Sequence, residues 1–217
     1  MIVRYEKGTA QIETLTTSNK PQKKNMKKII SFMHVSLDGF AAGPNRELNW
    51  VHVDQELFDH VGNRINKTNA AMYGRATYQL MESYWPTAGA APNASKHDIE
   101  HSKWYNDVHK IVLSNTLKSP ELTNTEIISN NLADRIHEIK QSNKGGSDEI
   151  LVFGSPTATH ALIQQNLIDG YWLFLNPVIL GQGIPLFADG KDKTKLKLLN
   201  SQQFSSGVVE LNYAVDK

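Results

Sequence analysis

Glu149-Ile150-Leu151-Val152-Phe153-Gly154-Ser155-Pro156-Thr157 decides the architecture. After Glu149 the run is continuously apolar, the pattern of a strand covered on both faces. Gly154 ends it and lets another group approach the backbone closely. Ser155 is a favoured helix N-cap and Pro156 a favoured first helical residue. Ala158, Ala161 and Leu162 then mark an apolar helical stripe. Strand, tight turn, helix is the repeating unit of a parallel α/β sheet with right-handed crossovers.

The unit recurs along the chain. Ala70-Ala71-Met72-Tyr73 runs into Gly74, Lys110-Ile111-Val112-Leu113 runs into Ser114, and Ile29–Met33 is a further buried strand. Leu57, Val61 and Ile65, like Leu132, Ile136 and Ile139, recur at helical spacing. The last third changes style. Tyr171–Leu175 and Val178–Leu180 read as apolar strands split by Asn176-Pro177, and Leu196–Leu199 as another. In Val208–Val215, Val209, Leu211, Tyr213 and Val215 alternate with polar or small residues, as in an antiparallel strand with one wetter face. The expectation is an α/β fold whose sheet has a parallel core and an antiparallel end. Residues 86–96, small and interrupted by Pro and Gly, read as a substrate-side loop.

Composition bounds the rest. The 217 residues fit one domain with an appendage. Residues 1–25 are expected to be a polar leader or a docking arm, with Ile2–Tyr5 able to form a short strand and Lys20, Lys23, Lys24, Lys27 and Lys28 crowding its end; Met26 is a candidate initiator. Residues 26–217 form the domain. Lys and Arg total 23 against 22 Asp and Glu, a net charge of +1, which argues against a nucleic-acid or membrane-surface protein. No apolar run is long enough for a membrane span and no signal-peptide core follows the first residues, so a cytoplasmic protein is expected. The absence of Cys excludes disulfides, Cys-ligated metals and cysteine nucleophiles.

Three junctions are candidate anion corners. At Gly154-Ser155-Thr157 a helix start offers free N–H groups and a positive dipole end to a phosphate; the alternative is a capped helix that binds nothing. At Gly74-Arg75-Ala76-Thr77, Arg75 works against the dipole unless an anion sits nearby, since its planar fork grips phosphate; the alternative is a surface cation. Ser114-Asn115-Thr116 lies at a strand's C-terminal end, where ligands of α/β sheets sit, or forms an ordinary polar turn. Three such corners along one sheet suggest an extended phosphate-bearing ligand such as a dinucleotide. The chain has neither a G-x-G-x-x-G fingerprint nor a P-loop. Asp38 precedes Gly39 in a turn. Asp54 falls on the apolar face that carries Phe58, either as a partly desolvated acid suited to proton donation or as the helix N-cap. His34 follows a buried strand, as core or as site lining. His97 and His101, at i and i+4 in a polar segment, read as a solvated helix face rather than metal ligands.

At these residues the chain resembles the dihydrofolate-reductase-like superfamily, and more closely the bacterial branch similar to the reductase domain of riboflavin biosynthesis. The matching pieces span residues 27–215: Ser36-Leu37-Asp38-Gly39, Tyr73–Tyr78, Ile111–Ser114, Ile150–Ser155, and Leu167-Ile168-Asp169 followed by Asn176–Phe187. The resemblance implies a three-layer α/β/α fold with a mixed, mostly parallel sheet and an antiparallel C-terminal strand. It implies NADPH across the C-terminal strand ends: Gly154, Ser155 and Thr157 at the pyrophosphate, Gly74, Arg75 and Thr77 at the other phosphate side, and Ser114 at the adenosine ribose or its 2′-phosphate. It implies Asp54 as the acid, Phe58 and Asp38 on the substrate side, Gly181 and Gly183 near the nicotinamide or a dimer contact, and a homodimer, for which Tyr171–Leu175 and Val178–Leu180 supply apolar strands. Ser155 replaces the second Gly of the pyrophosphate turn, Asn115 stands where a basic residue often reads the 2′-phosphate, and Gly170 stands where the branch often has Glu. NADPH preference would then rest on Arg75 and Lys118. The implied activity is hydride transfer from NADPH to a pteridine, pyrimidine or ribosylamino-pyrimidine-like substrate, as in 5-amino-6-(5-phosphoribosylamino)uracil reductase; the alternatives are a non-catalytic nucleotide- or pterin-binding module and a reductase of an unrelated small carbonyl compound.

Overall fold

In the computed structural model, which describes residues 2–6, 9–13, 26–118, 123–142, 147–187 and 193–216, Ile2–Glu6 (β1) and Thr9–Glu13 (β2) pair antiparallel as a separate two-stranded sheet. The rest of the segment expected as a leader or arm, with Lys20, Lys23 and Lys24, lies outside the described residues up to Met26.

Lys28–Ser36 (β3) and Phe40–Ala42 (β4) come next. Gln55–Ile65 (α1), Ala70–Gly74 (β5), Arg75–Glu82 (α2), Trp85–Ala88 (α3), Lys96–Asp107 (α4) and His109–Leu113 (β6) follow. Thr125–Ile128 (β7), Leu132–Gln141 (α5), Glu149–Phe153 (β8), Pro156–Gln164 (α6) and Gly170–Asn176 (β9) continue the alternation. Ile184–Pro185 (β10), Leu196–Gln203 (β11) and Val209–Val215 (β12) close it.

Eight strands form one sheet in the order β11-β12-β9-β3-β8-β5-β6-β7. Every pairing from β9 to β7 is parallel, and β12 runs against both β9 and β11. The alternation of side chains sends Ile29, Met33, Ile150 and Val152 to one face with Ile136 of α5 and Leu162 of α6. Ile30, Leu151, Phe153, Trp172 and Phe174 go to the other with Leu57 and Val61 of α1 and Tyr105 of α4. Helices therefore cover both faces, giving three layers. Each fully buried Leu or Ile contributes roughly 1.5–3 kcal/mol.

Four local expectations change. Tyr171–Leu175 lies in β9, an interior strand with buried rings, so it is no surface for a partner. Val178–Leu180 is a loop: Pro177 has no N–H, and the N–H groups of Leu180 and Gly181 go to the Asp38 carboxylate at 3.1 and 2.8 Å. The expected wet face of β12 points inward instead. Glu210 is 3 % exposed; its carboxylate accepts the indole N–H of Trp172 and lies 2.9 Å from His60 Nε2 of α1. Burial of a carboxylate there is offset by a donor and a cation-capable ring. Residues 86–96 are not wholly loop, because Trp85–Ala88 closes a helical turn with Pro86 in its first positions. No helix among the described residues is long and apolar enough to cross a membrane.

Candidate functional site

The C-terminal ends of β5, β6 and β8 open onto a groove of about 770 Å³. Seven residues singled out from the sequence line it together: Gly74, Arg75, Thr77, Ser114, Gly154, Ser155 and Thr157. Two helices point their N-termini into it. Gly74 is the N-cap residue of α2 and Ser155 that of α6, each in extended backbone and neither with a side-chain cap bond. The first-turn N–H groups of both helices therefore have no intrahelical acceptor, and their dipole ends add. The two corners touch. A Cβ on Gly74 would collide with the Ser155 hydroxyl, and the Thr77 hydroxyl donates to the Gly154 carbonyl at 3.4 Å. Gly154 has φ +43°, and a Cβ there would project into open space. Glycine thus keeps clear the volume that a bound anion would take.

Arg75 sits at the rim, its guanidinium donating to the Thr116 hydroxyl at 3.0 Å. Ser114 holds the same turn, its hydroxyl accepting from Thr116 N at 3.2 Å and Leu117 N at 2.9 Å. Asn115 and Thr116 line the groove beside them, and Lys118 does not. On the far wall stand Ala41, Ala42 and Ile184, from the short β4–β10 pair. Two dipole ends, one Arg and hydroxyls at strand ends suit the phosphates and ribose of a dinucleotide.

The remaining site candidates lie outside this groove. Asp54 is the N-cap of α1, its carboxylate accepting from Leu57 N at 2.8 Å and lying 3.4 Å from His52 Nε2. Phe58, one turn on, stacks on His97 with centroids 3.9 Å apart. Asp38 accepts from the Ser36 hydroxyl at 2.6 Å and from the two loop N–H groups, and the Ser36 hydroxyl holds its carboxyl below the usual range. It pins residues 177–183 to the end of β3. Gly183 packs so tightly against β4 that a Cβ would collide with the Ala42 carbonyl.

Sequence reasoning missed a set of rings on the α1 side of the sheet. His97 and His101 are not a solvated face: they are half-buried against Phe58, Trp85 and Trp104. The available signal was that Trp85, His97, His101 and Trp104 fall close together in a stretch otherwise polar.

Residues 27–210 match the RibD C-terminal domain family. The uncharacterized protein YyaP of Bacillus subtilis (strain 168) is 32% identical over 190 residues, covering 86% of this chain and 94% of its own. Among solved structures, a putative riboflavin biosynthesis protein from Shewanella sp. PV-4 superposes with a TM-score of 0.64 at 20% identity, covering 88% of this chain and 99% of that one. A diaminohydroxyphosphoribosylaminopyrimidine deaminase/5-amino-6-(5-phosphoribosylamino)uracil reductase from Thermotoga maritima gives a TM-score of 0.59 at 15% identity; 89% of this chain is covered, but only 58% of that one. At these identities the two structures establish the fold alone.

Proposed function

Because the chain belongs to the RibD C-terminal domain family, we propose that it is an NADPH-dependent reductase acting on a pteridine, pyrimidine or ribosylamino-pyrimidine-like substrate. The observation that carries this reading is the convergence of the α2 and α6 N-termini on one groove beside Arg75. Gly154, Ser155 and Thr157 would hold the pyrophosphate, Gly74 and Thr77 the phosphate facing α2, and Arg75 with Ser114 the 2′-phosphate or its ribose. NADPH when bound supplies the hydride; the chain supplies alignment and exclusion of water. Asp54, at the start of α1, would deliver or relay the proton to the reduced substrate.

The test is NADPH binding followed by turnover. NADPH should raise the melting temperature and be oxidised in the presence of one member of a panel of pterins, folates and pyrimidine ribosylamines. A stabilising NADPH that none of the panel oxidises supports a non-catalytic binding module, and the absence of any NADPH effect at millimolar concentration overturns the cofactor assignment. Arg75→Ala should weaken NADPH about tenfold or more and spare NADH; equal losses would mean that Arg75 does not read the 2′-phosphate.

We also propose a cytoplasmic homodimer, joined through the edge strand β11. Leu196, Leu198 and Leu199 are exposed there, on a strand with one unpaired side. Sedimentation at micromolar concentration should give a dimer that Leu198→Glu splits.

A further inference from the structure

The groove at the ends of β5, β6 and β8 holds a second cation besides Arg75. Among the described residues that line it, only Arg75 and Arg46 carry a charge, and no Asp or Glu lines it with them. Two like charges in one cavity repel each other, and a ligand that brings negative charge removes the penalty.

Arg46 stands on the far wall, just past β4, and that wall is fastened to α6. Ile184 of β10 pairs with Ala42 of β4. His160, in the second turn of α6, donates from Nε2 to the Pro185 and Leu186 carbonyls, each 3.0 Å away. Residues 43–47 then close a tight loop. The Gly43 N–H donates to the Glu47 carbonyl and the Arg46 N–H to the Gly43 carbonyl, both at 3.0 Å. The one acid of this loop is turned into it: the Glu47 carboxylate accepts from Asn45 N at 2.7 Å and fills the space that a Cβ on Gly43 would take. The Arg46 guanidinium is left exposed, with no hydrogen bond or ion pair among the described residues.

The backbone under Arg46 points the same way. Its φ is +68°, in the left-handed region that suits Gly or Asn and strains a longer side chain. Strain of this kind gathers at ligand clamps, where the side chain it carries is used.

We propose that Arg46 is a specificity-determining residue that reads the phosphates NADPH and NADH share, the pyrophosphate at the α6 end of the groove, while Arg75 reads the 2′-phosphate at the other end. β8, which feeds α6, and β6, beyond which Arg75 meets Thr116, lie two strands apart, about 10 Å, so the two guanidiniums serve different ends of one ligand. The planar fork of Arg46 donates to two phosphate oxygens at once, from the wall across the groove from the first turn of α6. Charge recognition is thereby divided: Arg46 sets how tightly either dinucleotide is held, and Arg75 sets which one is preferred. The division rests on the cofactor assignment made above, whereas a phosphate subsite at Arg46 is testable without it.

Calorimetric titration of the full chain with NADPH, NADH, inorganic pyrophosphate and adenosine 2′-monophosphate, which carries the 2′-phosphate and no other, tests the proposal. Arg46→Gly should weaken NADPH, NADH and pyrophosphate alike, each about tenfold, and leave adenosine 2′-monophosphate within about twofold. Because Gly accepts a left-handed backbone without strain, the unliganded variant should melt no lower than the parent, which separates lost binding from lost folding. Unchanged affinity for NADH and pyrophosphate overturns the proposal. So does an equal loss for adenosine 2′-monophosphate, or a lowered melting temperature of the unliganded variant. A parent chain that binds pyrophosphate through Arg46 and neither dinucleotide removes the cofactor assignment and leaves the Arg46 subsite standing; a parent that binds none of the four probes removes both.

Discussion

The groove at the ends of β5, β6 and β8 and the aromatic wall on the α1 side of the sheet are built by opposite means. The groove is made of backbone: two glycines, two helix starts and a few hydroxyls, with Gly154 held at a positive φ so that nothing fills the space. The wall is made of side chains, with rings from β3, β8, β9, α1, α3 and α4 leaning on one another. A backbone site binds what any chain of the right conformation binds, an anion. A surface of side chains changes its chemistry with a single substitution, whereas a backbone corner does not.

Acid should separate the two regions most strongly. The folded His34 and His101 hold protons less tightly than in the unfolded chain, with pKa values near 4 and 3. Between pH 6.5 and those values the unfolded state binds more protons, so stability present above pH 6.5 is lost as pH falls through that window. For His34 alone the ceiling is about 3 kcal/mol. Acid unfolding followed by Trp fluorescence should shift to lower pH in His34→Phe, and an unchanged midpoint would show that the ring is not desolvated.

Asp54 comes next. Asp54→Asn keeps a cap acceptor for Leu57 N and removes the transferable proton. If the carboxyl works on the substrate, kcat should fall by about a hundredfold or more with the melting temperature held. An enzyme of unchanged kcat would reduce Asp54 to a helix cap.

The smallest effect belongs to the backbone site. Gly154→Ala places a side chain at φ +43° and should cost about 1–2 kcal/mol, a few degrees of melting temperature, with weaker NADPH binding. A variant as stable as the parent that binds NADPH equally well would mean that the turn relaxes, and the groove would lose its claim to being rigid.

The same contrast explains what could be read from the residues. Gly74-Arg75-Thr77 and Gly154-Ser155-Thr157 are contiguous, and strand, turn and helix start are local chemistry, so the parallel sheet and its loaded corners were legible. The aromatic wall was not. Phe32, Phe58, Trp85 and Phe174 each look like a core residue until the sheet order, set by pairings such as His34↔Phe174, brings them together. The polar sequence neighbours of His97 and His101 predict a solvated face, whereas their spatial neighbours are rings. Glu210 misled in the other direction: period-2 alternation located its face correctly, but α1 covers that face and supplies His60.

The placing of β3 carries a consequence in time rather than in space. It is the earliest strand of the large sheet to be synthesised, and its two neighbours are β8 and β9, beginning at Glu149 and Gly170. A nascent chain must therefore hold the apolar run Ile29–Met33 with both edges unpaired until more than a hundred further residues have left the ribosome. Such a segment is open to mispairing for that whole interval. Closure of that side, with β9 pairing β3 and β12 pairing β9, needs strands from the last third of the chain.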